Sequence, residues 1–315
     1  MFKKMEYVYA VYKEQSFTKA AEKLYISQPC LSAAIKKIEE EIGMPLFERR
    51  YSSVRPTRIG LEYIDAIEKI MSVTRAFESK IDDINNVEYG NLRVGGSNYV
   101  SSFILPRIIG SFTRLYPKIE ISLLESSSVE IEKKLNEEEI DLLIDSYDDG
   151  QIIHDCYPLL NEKILLAVPA GSKVNDNLKK YRIMPESLSD PGFDLSSVPA
   201  VSINRFKNEN FILLKNGNNM HKHAMEIFKN SIFTPQVSFR LDQLSTSYRL
   251  AASGNGVCFV TDTIFKYYKF NDDVILYNIE GSGNRTLYVV QRKNRYTSSA
   301  MQKFIEIAKS SIITA

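Results

Sequence analysis

The sequence predicts an α/β protein in three parts: a small N-terminal helix-turn-helix head with a wing, a long linker helix, and a large body of alternating strands and helices. Three observations predict it. The charge is uneven: residues 1–58 hold eleven Lys and Arg against seven Glu, a net +4, whereas the other 257 hold 29 basic and 32 acidic residues, a net −3. Apolar spacing in the first sixty residues is helical and broken twice by turn residues. Beyond residue 90, short apolar runs alternate with helical patterns, the signature of an open α/β sheet. A length of 315 residues suggests about two domains, and 44% hydrophobic with 25% charged residues excludes disordered and fibrous classes.

The opening MFKKMEYVYAVYKEQ mixes Lys and Glu into its apolar positions, unlike a signal peptide, and no later run approaches the roughly 20 apolar residues of a membrane span. A cytoplasmic protein without a membrane partner is expected. Cys30, Cys156 and Cys258 form no C-x-x-C pair, and His154, His221 and His223 lack metal-ligand spacing, so neither a disulfide scaffold nor a metal site is expected.

In the head, Met5, Val8, Val11 and Tyr12 recur at helical spacing and make a first helix ending near Ser16. Ser16 or Thr18 caps a short second helix, Lys19 to Leu24, whose Ala20 and Ala21 admit close approach by another helix. After a turn at Tyr25 and Ile26, Ser27 is the N-cap of a third helix that tolerates Pro29 in its first turn. It buries Leu31, Ile35, Ile38 and Ile42, and stops at Gly43. In such an arrangement the third helix offers its N-terminal polar residues, here Gln28 and Ser32, to a major groove. MPLFERRYSSVRPTRIG then supplies Leu46 and Phe47 as anchors and a short basic wing, with Arg49, Arg50, Arg55 or Arg58 available to backbone phosphates or a minor groove.

SFTKAAEKLYISQPCLSAAIKKIEEEIGMPLFERR followed by T-x-x-G resembles the winged helix-turn-helix of the LysR-type transcriptional regulators. The resemblance implies that Ser27, Gln28, Pro29 and Ser32 face DNA, with Lys36 and Arg49 on phosphates. It also implies an interrupted palindromic operator on double-stranded DNA, RNA polymerase as a partner, and a bacterial, nucleoid-associated location. Ala33 and Ala34 stand where the family often carries a long polar side chain. Alanine can touch a thymine methyl but cannot grip guanine, so base readout falls to Gln28, Ser32 and the wing.

From Ile59 to about Val87 only Gly60 interrupts a helical pattern. Ile67, Thr74 and Ile81, with Ile70, Phe77 and Ile84, repeat every seven residues as an a/d seam, and Glu68, Lys69, Arg75, Glu78, Lys80, Asp82 and Asp83 charge the remainder. Residues 59–88 are therefore expected to form a linker helix that dimerises through Ile67, Ile70, Phe77 and Ile81, giving a homodimer or homotetramer.

NNVEYG marks the boundary of the body, residues 89–315. LRVGG reads as a strand, Phe103 to Tyr116 as a helix, IEISLLE as a strand, Val129 to Asn136 as a helix, and IDLLID as a strand. Hydroxyl-rich turns at 97–102 and 126–128 feed helix N-termini, where free N–H groups favour anions. GGSN...FILPRIIGSFTRLYP resembles the effector domain of the same family, which has the two-lobed fold of periplasmic binding proteins. The resemblance implies lobe one at 91–160 and 268–315, lobe two at 161–267, and a small polar or anionic metabolite between them. Carried onto the strand-end turns, it makes Ser97, Asn98, Ser127, Ser128, Asn218, Asn219 and Thr246 the pocket candidates. The stretch 171–210 exceeds the family's connection and is expected to be a lid loop, with Asn204 or Arg205 reaching the pocket. Gly254-Asn255-Gly256 lies between helix and strand, the wrong order for a nucleotide loop, and no catalytic constellation stands out. No enzyme and no cofactor is expected; a small-molecule receptor without gene control is the rival reading.

Overall fold

The computed structural model describes residues 2, 4–48, 54–84, 90–147, 153–229, 231–268, 273–293 and 295–313. They form two compact units, 1–81 and 82–315, each described by itself.

The head contains α1 (Met5–Glu14), α2 (Phe17–Lys23), α3 (Gln28–Ile42), the two-residue strands β1 (Phe47–Glu48) and β2 (Arg55–Pro56), and the start of α4 (Arg58–Ile84). Ser16 caps α2 by accepting from Lys19 N, and Ser27 caps α3 by accepting from Cys30 N. Such caps each contribute about 1 kcal/mol. Val8, Val11, Ala20, Ala21, Leu31 and Ile35 meet in one core with Leu46 and Phe47 from the wing. The T-x-x-G element has a physical reason. Thr57 Oγ1 accepts from Gly60 N at the start of α4, and a Cβ on Gly60 would sit 2.1 Å from Leu46 O. Only glycine lets α4 lie that close to the wing.

One expectation is corrected here. Ile67 is 0% exposed and belongs to the head's own core, so it is not part of a dimer seam. Farther along α4, Ile70 is partly exposed, while Val73 is 71%, Phe77 63% and Ile81 41% exposed. The free stripe thus runs Ile70, Val73, Phe77, Ile81.

The body opens with β3 (Gly90–Ser97), α5 (Asn98–Phe103), α6 (Leu105–Leu115), β4 (Ile119–Ser126), α7 (Ser128–Asn136) and β5 (Leu142–Ser146). The helix expected from Phe103 starts five residues earlier and breaks at Ile104. β3 runs parallel to both β4 and β5. A Cβ on Gly95 would lie 2.4 Å from Ile140 and 2.9 Å from Ile131, so the glycines of LRVGG allow close packing over β3.

The long β6 (Asp155–Pro169) then crosses to the second lobe. There stand β7 (Arg182–Ile183), β8 (Asn210–Leu214), α8 (Asn219–Lys229), β9 (Gln236–Leu241), α9 (Leu244–Ala252), β10 (Val257–Thr261), α10 (Asp262–Tyr267) and β11 (Val274–Asn278). β12 (Asn284–Gln291) and α11 (Ser299–Ile313) close the chain. β12 pairs with β5 and with β6 from Asp155 to Lys163, whereas β10 and β11 pair with β6 from Ile164 onward. The lobes therefore part between Lys163 and Ile164. β11 belongs to the second lobe's sheet, so the return to lobe one comes at β12 and not at 268.

Residues 171–210 are no lid. They run as short 3-10 turns and the strand β7, burying Leu178, Ile183, Leu188, Ile203 and Phe206 in the core, and Val201 bridges to Ile279. Asn204 accepts from Ile232 N at 2.9 Å, which ties it to the body, while Arg205 is exposed.

Candidate functional site

The N-terminal edge of α3 is polar and exposed because Leu31, Ile35 and Ile38 claim the other face for the core. Gln28, Pro29 and Cys30 are exposed, Ser32 is half-buried, and Lys36 follows on the outer face, 3.8 Å from Glu40. Gln28 Nε2 donates to Ser32 Oγ at 2.9 Å. That bond uses one amide proton; the other proton and Oε1 remain as a donor and acceptor pair, the pattern that matches adenine N7 and N6. Tyr25, in the turn before α3, has φ 54° and is 96% exposed. Arg55 is exposed on β2, while Arg49 and Arg50 lie outside the described residues.

In the body, a cavity encloses about 570 Å³ of empty space including its open mouth, beside the end of β5 and the first turns of α7 and α8. β5 and α7 belong to lobe one and α8 to lobe two, so the cavity lies between the lobes, beyond strand ends as open α/β sheets dictate. Of the expected pocket residues, Ser128 and Asn219 line it. Asn219 Nδ2 spans the cleft to Asp145 Oδ1 at 3.1 Å and to Ser146 O and Oγ at 3.0 Å each. Asp145 also accepts from Ser146 N at 2.8 Å and from the Ser128 hydroxyl. Burial raises the Asp145 carboxyl above its ordinary value, against these hydrogen bonds and the charge of Arg285. Glu132, Tyr147, Lys222 and His223 complete much of the wall.

The other expected pocket residues do not line this cavity. Ser127 caps α7 through Glu130 N, and Asn218 Oδ1 accepts from Met220 N at the start of α8; both hold helix ends. Ser97 is buried at the start of α5, Thr246 is exposed on α9, and Asn98 is the half-buried first residue of α5. Asp145 went unnoticed because it closes an apolar run that reads as strand core. Among the described residues, no cluster of His, Cys, Asp and Glu could hold a metal ion, and no helix is long and apolar enough to cross a membrane.

Residues 2–61 match the model of the bacterial regulatory helix-turn-helix protein, lysR family, and residues 85–312 match the LysR substrate binding domain. The chain belongs to the LysR family of transcriptional regulators. This LysR-type regulator is 31% identical over 314 residues to the uncharacterized HTH-type transcriptional regulator YcgK of Bacillus subtilis (strain 168), covering 98% of this chain and 94% of that protein. Full-length CbnR complexed with its target DNA shares its fold at TM-score 0.62 and 16% identity, covering 99% of each chain. The effector binding domain of QuiR in complex with shikimate does so at TM-score 0.55 and 17% identity, covering 72% of this chain and 98% of that one. The LysR-type regulator is thus a DNA-binding transcriptional regulator with a helix-turn-helix head and an effector-binding domain of two lobes, in a family of regulators and not of enzymes.

Proposed function

We propose that this regulator binds an interrupted palindromic operator as a homodimer or homotetramer and changes its hold on that operator when a small polar or anionic metabolite enters the cleft. The observation that carries the DNA half is the row of exposed Gln28, Pro29 and Lys36 with half-buried Ser32 on one edge of α3, with its apolar side locked in the head. Ser27 holds the helix start, Gln28 and Ser32 read base edges, and Lys36, Arg49, Arg50 and Arg55 meet phosphates. Tyr25 joins them as a contact to the backbone. Pairing uses the exposed stripe Ile70, Phe77 and Ile81, which Val73 extends, since a helix-turn-helix needs a partner to read two half-sites. At a promoter the bound oligomer would act on RNA polymerase, in the cytoplasm and close to the nucleoid.

The effector half rests on the cleft cavity and its polar wall from both lobes. An effector acts through different affinities for two states, so it must alter operator binding as well as bind. Selection from a random duplex library followed by footprinting tests the first half: two protected half-sites spaced by whole helical turns support it, and equal binding to all duplexes overturns it. The Ser128→Ala and Asn219→Ala variants test the second, since an effector that binds both as well as the native protein does not sit in this cleft.

A further inference from the structure

The polar groups around the cleft cavity are unbalanced. Asn219 Nδ2 carries two protons but stands within hydrogen-bond reach of three acceptors, Asp145 Oδ1 and the two oxygens of Ser146. Glu132 adds a second carboxylate to the same wall. Asp145 itself is 4% exposed, and what remains of that exposure opens onto the cavity. Among the described residues the three hydrogen bonds to this buried carboxylate come from neutral donors, and burial outweighs both them and the charge of Arg285, which is an expensive arrangement unless a ligand completes it. Lys222 stands on the same wall from α8, three residues after Asn219 and so on the same helical face. The cavity therefore offers excess acceptors at its floor and the basic side chains Lys222 and His223 at its side.

We infer that the cleft selects a small metabolite bearing a primary ammonium group, with Asp145 as its counter-ion, and that an anionic group on the same molecule turns to Lys222. The inference rests on reading the cleft as the effector site, and it rejects a purely anionic effector. An ammonium supplies three donors and a charge where donors are short, and it leaves Asp145 ionised without cost. A carboxylate or phosphate alone would face both Asp145 and Glu132.

The test uses the full chain and three arms of probes: the twenty proteinogenic amino acids, the amines that lack their carboxylate, and the acids that lack their amino group. Thermal shift finds binders and calorimetry measures them. At least one ammonium-bearing compound raises the melting temperature, and its des-amino counterpart at equal concentration does not. Asp145→Asn, checked for folding by circular dichroism, weakens that compound by about ten- to a hundredfold, the range for a hydrogen bond to a charged group. Binding by the des-amino acids, lost in Ser128→Ala but kept in Asp145→Asn, overturns the ammonium inference and leaves the cleft reading standing. A ligand unaffected by both substitutions overturns the two together. Silence in all three arms overturns the ammonium class.

Discussion

Arg285 on β12 stands directly opposite Glu162 on β6, and its Nε donates to Glu162 Oε2 at 2.7 Å inside the protein. Two residues farther along, β6 exchanges β12 for β10 and β11, so the ion pair marks the crossing between lobes. Tyr99 of α5 donates to the other Glu162 oxygen, and its hydroxyl lies 2.9 Å from Thr261 Oγ1 at the end of β10. Burial and the Glu162 charge raise the Tyr99 phenol well above its ordinary value, so it stays protonated as a donor.

Removing one partner of this pair leaves an uncompensated buried charge. Glu162→Gln or Arg285→Met alone should lose about 3–5 kcal/mol in urea unfolding of the full chain, while Glu162→Leu combined with Arg285→Met recovers much of it. Single losses below about 1 kcal/mol would mean that water reaches the pair.

Ser32 orients Gln28 through the 2.9 Å bond between their side chains. Gln28→Ala should weaken a selected operator by about 1–3 kcal/mol and random duplex hardly at all. Ser32→Ala should shift in the same direction by less, because the Gln28 amide then turns freely. Equal losses on both duplexes in a mobility-shift titration would make Gln28 a backbone contact.

The head was readable in advance because its signals are local: Ser27 caps, Gly43 stops, and Leu31, Ile35 and Ile38 share a face within fifteen residues. Ile67 shows where local signals end. A seven-residue spacing records that a helix face is buried but not against what, and the first turns of α4 are buried by the head itself. The same limit hid Asp145. Its partner Asn219 is 74 positions away, and only the β5 and α8 placement joins them. In the strand-end turns, Ser127 and Asn218 hold helix ends, a role that local sequence does not separate from ligand binding.

Along α4 the two kinds of apolar position should separate in experiment. Phe77→Asp leaves the fold intact and dissociates the oligomer, since Phe77 is exposed in the single chain. Ile67→Asp instead unfolds the head, because it buries a charge in the core. Light scattering and circular dichroism on the full chain decide between them; an oligomer that survives Phe77→Asp assembles through another surface.

Cys258 is buried and its thiol is pushed up to about 12, and burial lifts Cys156 to about 11, so both stay protonated at neutral pH. Cys30 is exposed on α3 between Pro29 and Leu31. Native iodoacetamide treatment at pH 7.5 should label Cys30 alone, and the adduct should block operator binding by standing beside Gln28 and Ser32. Rapid labelling of Cys258, read by peptide mass spectrometry, would show that the body opens far more than its packing allows.

Two aspartates on the body should bend its stability in opposite directions with pH. Asp141 is desolvated, which alone would raise its carboxyl, but hydrogen bonds and charge from Arg93 and Arg295 outweigh that and hold it below the ordinary 3.8. Its contribution is therefore full above pH 3.8 and fades as pH falls through the lower folded value. Asp145 is raised above 3.8, chiefly by burial, so its folded form holds a proton that the unfolded chain has released. Stability tied to Asp145 is highest in acid and declines as pH rises through the folded value. Asp141→Asn should then lower the apo melting temperature at pH 7, with the loss shrinking toward pH 3. Asp145→Asn should raise it at pH 7, with the gain vanishing toward pH 4. Melting curves of the three proteins across that range check both signs, and a destabilised Asp145→Asn at pH 7 would show that a charge-compensating partner already sits beside Asp145 in the empty protein.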